Sequence, residues 1–486
     1  MKRIFIIVAI LLFVMPMSAY AVSNYNDYTY SVTGEAVPSP QTYIYEKKLD
    51  VKEKTGKELS APSDMAHDKD GNLYVIDCEN NRLAVFDSSD NFVKEILPTQ
   101  NMSFADCTGI FVTDEKIFLC ASDKGEIYVA EKNTCIFEKL DFVPSQIVGD
   151  DFKFKPQRLS VDSTGIIQIV CKGDYNGLIT VDQFGKMIGY FGSNKIQASL
   201  SVIASQFWKN IFTETQQANM KQTIPVEFTG VCVDNNDFIY TVTASTENSM
   251  QEIKKFNPYG NNILKYNSDF PERKIGNGDY GDLRIISDAG TTLDSSFQDI
   301  AVDNDGFIYA LDVTRGRIFQ YSQDSVLVAV FGGIGEQKGT FRNPCALSVY
   351  GEKVYVLDNT KNAVFVLSPT EYTNSIKEAF ILDSKGEYVQ AMPIWQKIYE
   401  KNANYQAALS GIGMGYYKQE EYRTAMRYFS LSEDREKYDM AYSAFRIEFM
   451  RKNFIFFALG AVVLFVLLIV KLNNIKKRGG KDETMD

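Results

Sequence analysis

One sequence phrase occurs six times between residues 61 and 367, and it constrains the fold more than any other feature of the chain. Each copy contains a strand-like run that ends near Val-Asp, a glycine turn, and a second run centred mostly on an aromatic residue. The clearest copy spans residues 62–86, and the others span 109–127, 156–181, 228–256, 297–321 and 344–366. Such short strands cannot bury their own apolar faces, so the copies must stack against one another.

Six copies of a four-stranded unit around one axis form a six-bladed β-propeller, and we predict this mainly-β fold for residues 61–373. Two blades carry extra residues. The residues at the centre of the second run in successive copies are 44, 51, 71, 69 and 46 residues apart, and the two long intervals contain the insertions. These central residues are Tyr74, Phe118, Ile169, Tyr240, Tyr309 and Tyr355. We expect residues 42–49, within an N-terminal segment over 22–60, to supply the last strand of the last blade. Propellers host many unrelated activities, so the fold leaves the function open.

The copies resemble the NHL repeat, whose pattern is similar to Pro-x-Gly-Val-Ala-Val-Asp-x-Asp-Gly-Asn-Val-Tyr-Val-Ala-Asp-x-x-Asn-x-Arg-Val. The match is strongest over 62–86 and good over 297–321, whereas the copies that begin near Gly109 and Pro344 are more divergent. The resemblance implies an NHL-type propeller. It also implies that Asp77, Asp312 and Asp358 tie one hairpin to the next, which is a structural role.

Both ends of the chain carry apolar segments that predict export and a membrane anchor. Residues 1–21 are typical of a signal peptide, with Lys2 and Arg3 before an apolar run and small residues at the cleavage site. Residues 454–470 carry no charge, and a helix of this length nearly crosses a bilayer. We therefore predict a transmembrane helix over 454–472 and a cytoplasmic tail over 473–486.

The charges near the apolar segment predict its orientation. Lys471, Lys476, Lys477 and Arg478 follow the segment, and cytoplasmic flanks are enriched in such residues. Together with the signal peptide, this predicts a single-pass type I protein of the cell membrane, with most of the chain extracytoplasmic. The formal net charge is −11, which argues against nucleic acid as a partner. Usage rich in Lys, Asn, Ile and Tyr is typical of a bacterial protein with one membrane.

Residues 387–453 change to a helical period. The segment 410–429 resembles a tetratricopeptide repeat, with Gly413, Gly415 and Tyr416 at the small and aromatic positions of its first helix. Ala425 and Phe429 occupy the matching positions of the second helix. About four helices are expected, the last continuing directly into the membrane helix. The resemblance implies a protein-binding groove, and a packed spacer between propeller and membrane is the alternative.

Histidine and cysteine limit the chemistry that the chain can perform. His67 is the only histidine, which disfavours a Ser-His-Asp triad and a histidine-bound catalytic zinc, so we expect it to be a satisfied core residue. The seven cysteines show no recurring short spacing, and we expect free thiols, with one pair between neighbouring blades as the alternative. No catalytic residue, metal ligand or cofactor is predicted.

Six-bladed lactonases offer an alternative, since they hold calcium with oxygen ligands on the channel wall. Six positions of this chain are predicted to face the channel: Asp64, Gly109, Arg158, Gly230, Asp299 and Ala346. Two carboxylates are too few for a calcium cage. We interpret Asp64, Arg158 and Asp299 as a polar ring that orients a ligand, with a purely structural ion pair as the alternative.

Two insertions could add ligand contacts. Residues 193–223 have helical spacing and are predicted to form a cap, in which Phe207 and Trp208 provide an aromatic binding platform or merely cover a sheet edge. Residues 269–296 are rich in glycine and aspartate, but they lack the spacing of an EF-hand loop.

These observations favour a non-enzymatic, membrane-anchored, extracytoplasmic binding or scaffold protein. Its propeller would bind a small ligand, a glycan or a protein partner, and its helical repeats would engage a membrane partner such as a transport or envelope complex. A tethered propeller hydrolase or lactonase that uses a divalent metal is the alternative. A structural spacer is the third possibility.

Overall fold

A computed structural model gives the architecture of the chain, and it describes residues 27–31, 36–100, 102–148, 152–192, 227–244, 252–264, 280–282, 285–286, 292–293 and 295–482. The predicted signal peptide and the helical insert 193–223, with Phe207 and Trp208, lie outside the described residues. Most of the insertion 269–296 also lies outside them.

The described N-terminal part contains three strands and a short helix. Strand β1 (Tyr28–Tyr30) pairs with β2 (Ala36–Pro38), and β3 (Tyr43–Lys48) precedes α1 (Lys52–Thr55). Six antiparallel sheets follow and form the blades of a six-bladed β-propeller. Blade 1 consists of β4 (Pro62–His67), β5 (Leu73–Asp77), β6 (Arg82–Phe86) and β7 (Phe92–Ile96).

Blades 2 and 3 repeat this order, with a 3₁₀ turn at Phe104–Asp106 between blades 1 and 2. Blade 2 consists of β8 (Gly109–Val112), β9 (Lys116–Ala121), β10 (Glu126–Glu131) and β11 (Phe137–Leu140). Blade 3 consists of β12 (Pro156–Val161), β13 (Ile167–Cys171), β14 (Leu178–Val181) and β15 (Met187–Phe191).

The second half of the ring completes the propeller. The described part of blade 4 consists of β16 (Phe228–Val233), β17 (Ile239–Thr243) and β18 (Ile253–Phe256). A short pair, β19 (Ile285–Ile286) and β20 (Thr292–Leu293), precedes blade 5. Blade 5 consists of β21 (Phe297–Val302), β22 (Ile308–Asp312), β23 (Arg317–Tyr321) and β24 (Leu327–Gly332). Blade 6 contains β25 (Pro344–Tyr350), β26 (Lys353–Asp358) and β27 (Ala363–Pro369).

Strand β3 is the fourth strand of blade 6, in the place that the sequence indicated for residues 42–49. It pairs antiparallel with β27, with Tyr45 opposite Leu367. Tyr43 is fully buried, and its ring stacks on Phe331 at a centroid distance of 3.9 Å. Its hydroxyl lies 3.2 Å from the amide oxygen of Gln320 in blade 5. The N-terminal strand therefore joins the last blade to the one before it.

The recurring Val-Asp and glycine positions form the turn after each first strand. In blade 5, Asp303 accepts hydrogen bonds from the backbone N–H groups of Asp305 and Phe307 at 3.0 and 2.9 Å. Its other oxygen accepts one from the Tyr309 hydroxyl at 3.1 Å. Gly306 has a φ of +81°, which side-chain-bearing residues rarely adopt. The repeat thus encodes an Asx turn locked by the central aromatic residue.

Apolar residues of neighbouring blades pack face to face and form the core. Cys120 and Ile127 of blade 2 pack with Leu159 and Ile169 of blade 3. Val75 of blade 1 belongs to a cluster that includes residues of blade 6, so the packing continues across the ring closure. The first strand of each blade also contacts the first strand of the next, from β4 through β25 and back to β4.

Five helices follow the propeller; four of them lie in the predicted helical region 387–453, as expected, and one precedes it. They are α2 (Glu371–Ser384), α3 (Tyr388–Lys401), α4 (Gln406–Lys418), α5 (Tyr422–Leu431) and α6 (Arg435–Lys452). The glycines of α4 allow close helix packing, since a Cβ at Gly411 would lie 2.3 Å from Trp395 and one at Gly413 would lie 2.5 Å from Phe429. Ala425 and Phe429 are fully buried, as the repeat pattern predicts.

One further helix, α7 (Phe454–Asp482), is long and apolar enough to cross a membrane. Its candidate span is Phe454–Asn473, with a mean hydropathy of 2.9. Only Asn453 separates α6 from this helix, and main-chain hydrogen bonds run across it, from the Asn453 N–H to the Phe449 carbonyl at 3.1 Å and from the Phe457 N–H to the Asn453 carbonyl at 3.2 Å. As predicted, α6 therefore continues into the apolar helix without a loop. The Asn453 side chain donates a hydrogen bond to the Phe449 carbonyl at 2.9 Å. This local cap competes with regular helix geometry at the junction.

Candidate ligand-binding site

Asp64, Arg158 and Asp299 meet at the centre of the ring. Nη1 of Arg158 lies 2.8 Å from Oδ1 of Asp64 and 3.0 Å from Oδ1 of Asp299. Nη2 of Arg158 donates to the Cys345 carbonyl at 2.8 Å. Because the three side chains come from the first strands of blades 1, 3 and 5, their contacts cross the channel. We call this cluster the hub.

The free carboxylate oxygens of the hub bind the remaining blades. Oδ2 of Asp64 accepts a hydrogen bond from the Ile110 N–H of blade 2 at 2.9 Å. Oδ2 of Asp299 accepts one from the Leu347 N–H of blade 6 at 2.7 Å. Blade 4 also approaches the hub, since a Cβ at Gly230 would lie 3.1 Å from the Cα of Asp299. The hub therefore connects strands from all six blades.

Burial dominates the electrostatics of the hub. All three side chains are less than 10% exposed. Burial raises the pKa of Asp299 to about 6 although Arg158 opposes the shift, and the pKa of Asp64 is raised for the same reason. Burial alone would lower the pKa of Arg158, but Asp299 and Asp64 raise it, so the guanidinium stays charged. Arg158 already pairs with both buried carboxylates, so the three charges of the hub have partners within the protein. The predicted ligand-orienting role of the hub stays a prediction.

The opposite end of the same first strands opens onto a cavity of about 1260 Å³. Its central wall comes from residues at the ends of the six first strands, namely His67, Val112, Val161, Val233, Val302 and, one residue before its strand ends, Val349. The turns that follow these strands form the rim, including Asp162, Asp234 and Asp303. A concave, partly apolar volume of this size is typical of a ligand site. We call it the turn-end cavity.

His67 lines the turn-end cavity and is held in place by blade 6. Its Nδ1 lies 2.8 Å from the Ser348 hydroxyl, and its ring packs between Tyr350 and Tyr355 at centroid distances of 5.5 and 4.4 Å. Burial lowers the pKa of His67 to about 4, so the imidazole is neutral at pH 7. The expected satisfied imidazole is therefore observed, at the wall of the cavity rather than deep in the core.

The turn-end cavity continues as a groove between blades 2 and 3. Phe111 is paired with Phe118, Phe118 with Val129, and Val129 with Glu138, so these residues form one row on a single face of blade 2. All of them line the cavity, together with Val161 and Ile167 of blade 3. Blades 2 and 3 come close together where Gly185 approaches the Asp141 carbonyl, since a Cβ at Gly185 would lie 2.2 Å from it.

The lining of the turn-end cavity is acidic. Among the described residues that line it, three are lysines: Lys69, Lys116 and Lys139. Nine carboxylates face them, namely Asp68, Asp114, Glu115, Glu131, Glu138, Asp162, Asp234, Asp237 and Asp303. The sequence points to the hub instead of this cavity, because the charged residues of the hub stand at positions predicted to face the channel. A signal for the groove was present in the apolar residues of β8 to β10, but only the pairing register places them in one row.

Other polar and nucleophilic groups have structural surroundings. Asp77 accepts hydrogen bonds from the Ser60 N–H and from Nε of Arg82, both at 2.7 Å, as expected for a residue that ties a hairpin to its neighbour. All seven cysteines are free, and burial raises the pKa of Cys171 to about 11. Within the described part of the chain, no three His, Cys, Asp or Glu side chains are grouped to hold a metal ion.

Comparison with known families identifies an NHL repeat at residues 59–86, which cover the end of the loop before blade 1 and its first three strands. A search of curated protein sequences finds no match. One similar solved structure is virginiamycin B lyase from Staphylococcus aureus, at 10% identity and a TM-score of 0.40, covering 66% of this chain and 98% of that chain.

Two further similar structures come from other bacteria. The calcium-binding protein regucalcin from Agrobacterium tumefaciens has 12% identity and a TM-score of 0.37, covering 67% of this chain and 94% of that chain. The PQQ-bound aldose sugar dehydrogenase from Streptomyces coelicolor has 10% identity and a TM-score of 0.38, covering 68% and 99%. Similarity at this level transfers no activity to the present chain. The expectation of a non-enzymatic protein stays a prediction.

Proposed function

We propose that the chain is a membrane-anchored, extracytoplasmic binding protein whose propeller holds its ligand in the turn-end cavity. The observation that carries this proposal is the cavity of about 1260 Å³ at the end of the channel opposite the hub. Its wall combines apolar side chains with carboxylates, which suits recognition of a ligand that carries both apolar and polar groups. At the hub end, by contrast, the charged side chains are buried against one another.

The anchor is the second element of the proposal. Helix α7 supplies a candidate membrane span, and Lys471 follows its apolar run at the predicted cytoplasmic boundary. A partner in the membrane is the third element of the proposal. We assign the helices α2 to α6 the role of engaging such a partner, as the resemblance of 410–429 to a tetratricopeptide repeat implies.

Reporter fusions test the anchor and its orientation. Green fluorescent protein placed after Asp486 is expected to fluoresce, and alkaline phosphatase placed after Asn453 is expected to be active, because only the first reporter would stay in the cytoplasm. The reverse pattern, or recovery of the full-length chain in a salt-washed soluble fraction, would reject the anchored orientation.

Photo-crosslinking in the cells that naturally produce the protein tests the binding site. A benzophenone amino acid at Ile136, which is 57% exposed and lines the cavity, is expected to capture a ligand. Tyr259 provides a matched control because it is 88% exposed and does not line the cavity. Adducts at Ile136 and not at Tyr259 support the proposal. Absence of adducts at both positions, or equal adducts at both, contradicts it.

A further inference from the structure

We propose that the groove between blades 2 and 3 binds an extended peptide segment that carries alternating apolar and basic side chains. This inference rests on the proposed function and names the ligand class for the turn-end cavity. It follows from three features of the groove: the row of apolar residues on its floor, its length, and the carboxylates on its rim that lack partners.

The floor of the groove is an exposed part of an otherwise buried blade face. Phe111 and Val129 are only partly buried although they pack against the core between blades 2 and 3. Phe118 lies between them in the cross-strand row, and Ile167 of blade 3 lines the facing wall. An apolar side chain that enters here would complete the packing that two stacked blades make elsewhere in the ring.

The length of the groove matches a short extended segment. The row from Phe111 to Glu138 crosses the four strands of blade 2, which at a strand spacing of about 4.8 Å gives a length of about 14 Å. An extended peptide rises about 3.3 Å per residue, so about four residues fit between the channel and the outer strand. Ile136, which is 57% exposed at the outer strand, extends the apolar surface beyond the row.

The rim of the groove is left with uncompensated negative charge. Asp114 pairs with Lys69 at 2.9 Å, and Glu131 lies 3.6 Å from Lys116. The third lysine, Lys139, pairs with Glu126 at 3.0 Å, outside the cavity lining.

Glu115 and Glu138 are both exposed, and neither side chain has a hydrogen bond or an ion pair with another described residue. The other acidic positions have partners. Asp68 pairs with Lys132 at 2.7 Å, and Asp237 accepts a hydrogen bond from the Ser163 N–H at 2.8 Å. Asp162, Asp234 and Asp303 accept hydrogen bonds from the amides of their own turns. The negative charges of Glu115 and Glu138 are therefore available to pair with lysine or arginine side chains of a ligand.

The first experiment measures ligand class with the full-length protein in nanodiscs of zwitterionic lipid. Fluorescein-labelled Lys-Leu-Lys-Leu-Lys is titrated and followed by fluorescence anisotropy, with empty nanodiscs as the background. We expect this peptide to bind about tenfold or more tightly than Glu-Leu-Glu-Leu-Glu and Lys-Ser-Lys-Ser-Lys. Equal binding of all three peptides, or no binding of the first, overturns the proposal. A neutral glycan that binds in place of the peptide also overturns it.

The second experiment locates the site. Glu115→Lys combined with Glu138→Lys is expected to weaken binding of Lys-Leu-Lys-Leu-Lys by about tenfold or more. The matched control combines Asp123→Lys and Glu53→Lys, which change the net charge equally at exposed positions outside the cavity lining. Equal weakening in both double variants would mean that overall charge alone attracts the peptide, and it overturns the proposal.

Separate measurements test whether the variants fold and whether the proposed binding function holds. Thermal melting of both double variants verifies that they fold, and the Lys-substituted groove is expected to gain affinity for Glu-Leu-Glu-Leu-Glu, which a misfolded protein could not do. If the Lys-Leu peptide fails while Ile136 still forms crosslinks in cells, the ligand class is wrong and the binding function stands. If the crosslinks also fail, the proposed function is wrong.

Discussion

The two ends of the first strands show how the same scaffold produces a structural centre and a candidate binding site. Asp64, Arg158 and Asp299 stand three residues before His67, Val161 and Val302, a distance of about 10 Å along each strand. At the first end the charges satisfy one another and are buried. At the second end a cavity opens, with exposed apolar groups and unpaired carboxylates. A charged side chain in a channel thus indicates a ligand site only when no other group of the protein pairs with it.

The largest expected effect comes from breaking the hub. Arg158→Met leaves two carboxylates buried without their cation, and removal of one partner from a buried ion cluster costs about 3–5 kcal/mol of unfolding free energy. Urea unfolding of the propeller followed by circular dichroism measures this loss.

A triple variant provides the matched control for the hub. Asp64→Asn, Arg158→Met and Asp299→Asn together remove all three charges, so this variant is expected to be more stable than Arg158→Met alone. Equal stability of wild type and Arg158→Met would show that the hub is not the structural centre, and the contrast between the two ends would lose its basis.

A smaller effect is expected from the titration of His67 at the cavity end. Because its folded pKa of about 4 is below the unfolded value, the unfolded chain takes up the proton first. The neutral His67 side chain therefore makes its full contribution to the unfolding free energy above the pKa that His67 has in the unfolded chain. This contribution decreases as the pH falls toward 4. Since the residue is partly exposed, we expect wild type to lose about 1–2 kcal/mol more than His67→Gln between pH 7 and pH 4.5.

Urea unfolding at the two pH values measures this difference. The hub carboxylates titrate in both proteins, so their contribution cancels in the comparison. A wild type that loses no more stability than His67→Gln would mean that His67 does not stay neutral against Ser348, Tyr350 and Tyr355.

The smallest effect on stability is expected at the groove itself. Ile136→Ser and Glu138→Lys alter exposed side chains, so each is expected to change the unfolding free energy by no more than about 0.5 kcal/mol. Thermal melting of the full-length protein measures the change. A large loss of stability in either variant would place the groove with the hub among the structural parts of the propeller.

The propeller could be predicted from the sequence because each repeat is recognised by residues that lie close together in the chain. Asp303, Gly306 and Tyr309 build one turn within seven residues, and the same spacing recurs in other blades, so a single chain displays the pattern repeatedly. The channel-facing positions of Asp64, Arg158 and Asp299 also followed from their equivalent places in three copies. An ion pair among them was the stated alternative, and the structure shows Arg158 paired with both aspartates.

The groove could not be predicted, since it depends on pairing register and on the approach of two blades. Phe111, Phe118 and Val129 look like ordinary strand residues in the sequence, and only their cross-strand pairing aligns them on one face. The opening beside them depends on where the turn at Gly185 meets Asp141, which no local pattern encodes.

Hydrogen–deuterium exchange of the full-length protein, with and without Lys-Leu-Lys-Leu-Lys, tests most directly whether the turn-end cavity and not the hub is the binding site. We expect the backbone amides of the blade 2 turns over 113–116 and 132–136 to exchange more slowly when the peptide is added, because these turns border the groove. We expect unchanged exchange over 62–65 and 297–300, which carry the hub. Protection of the hub segments without protection of the blade 2 turns would contradict this account.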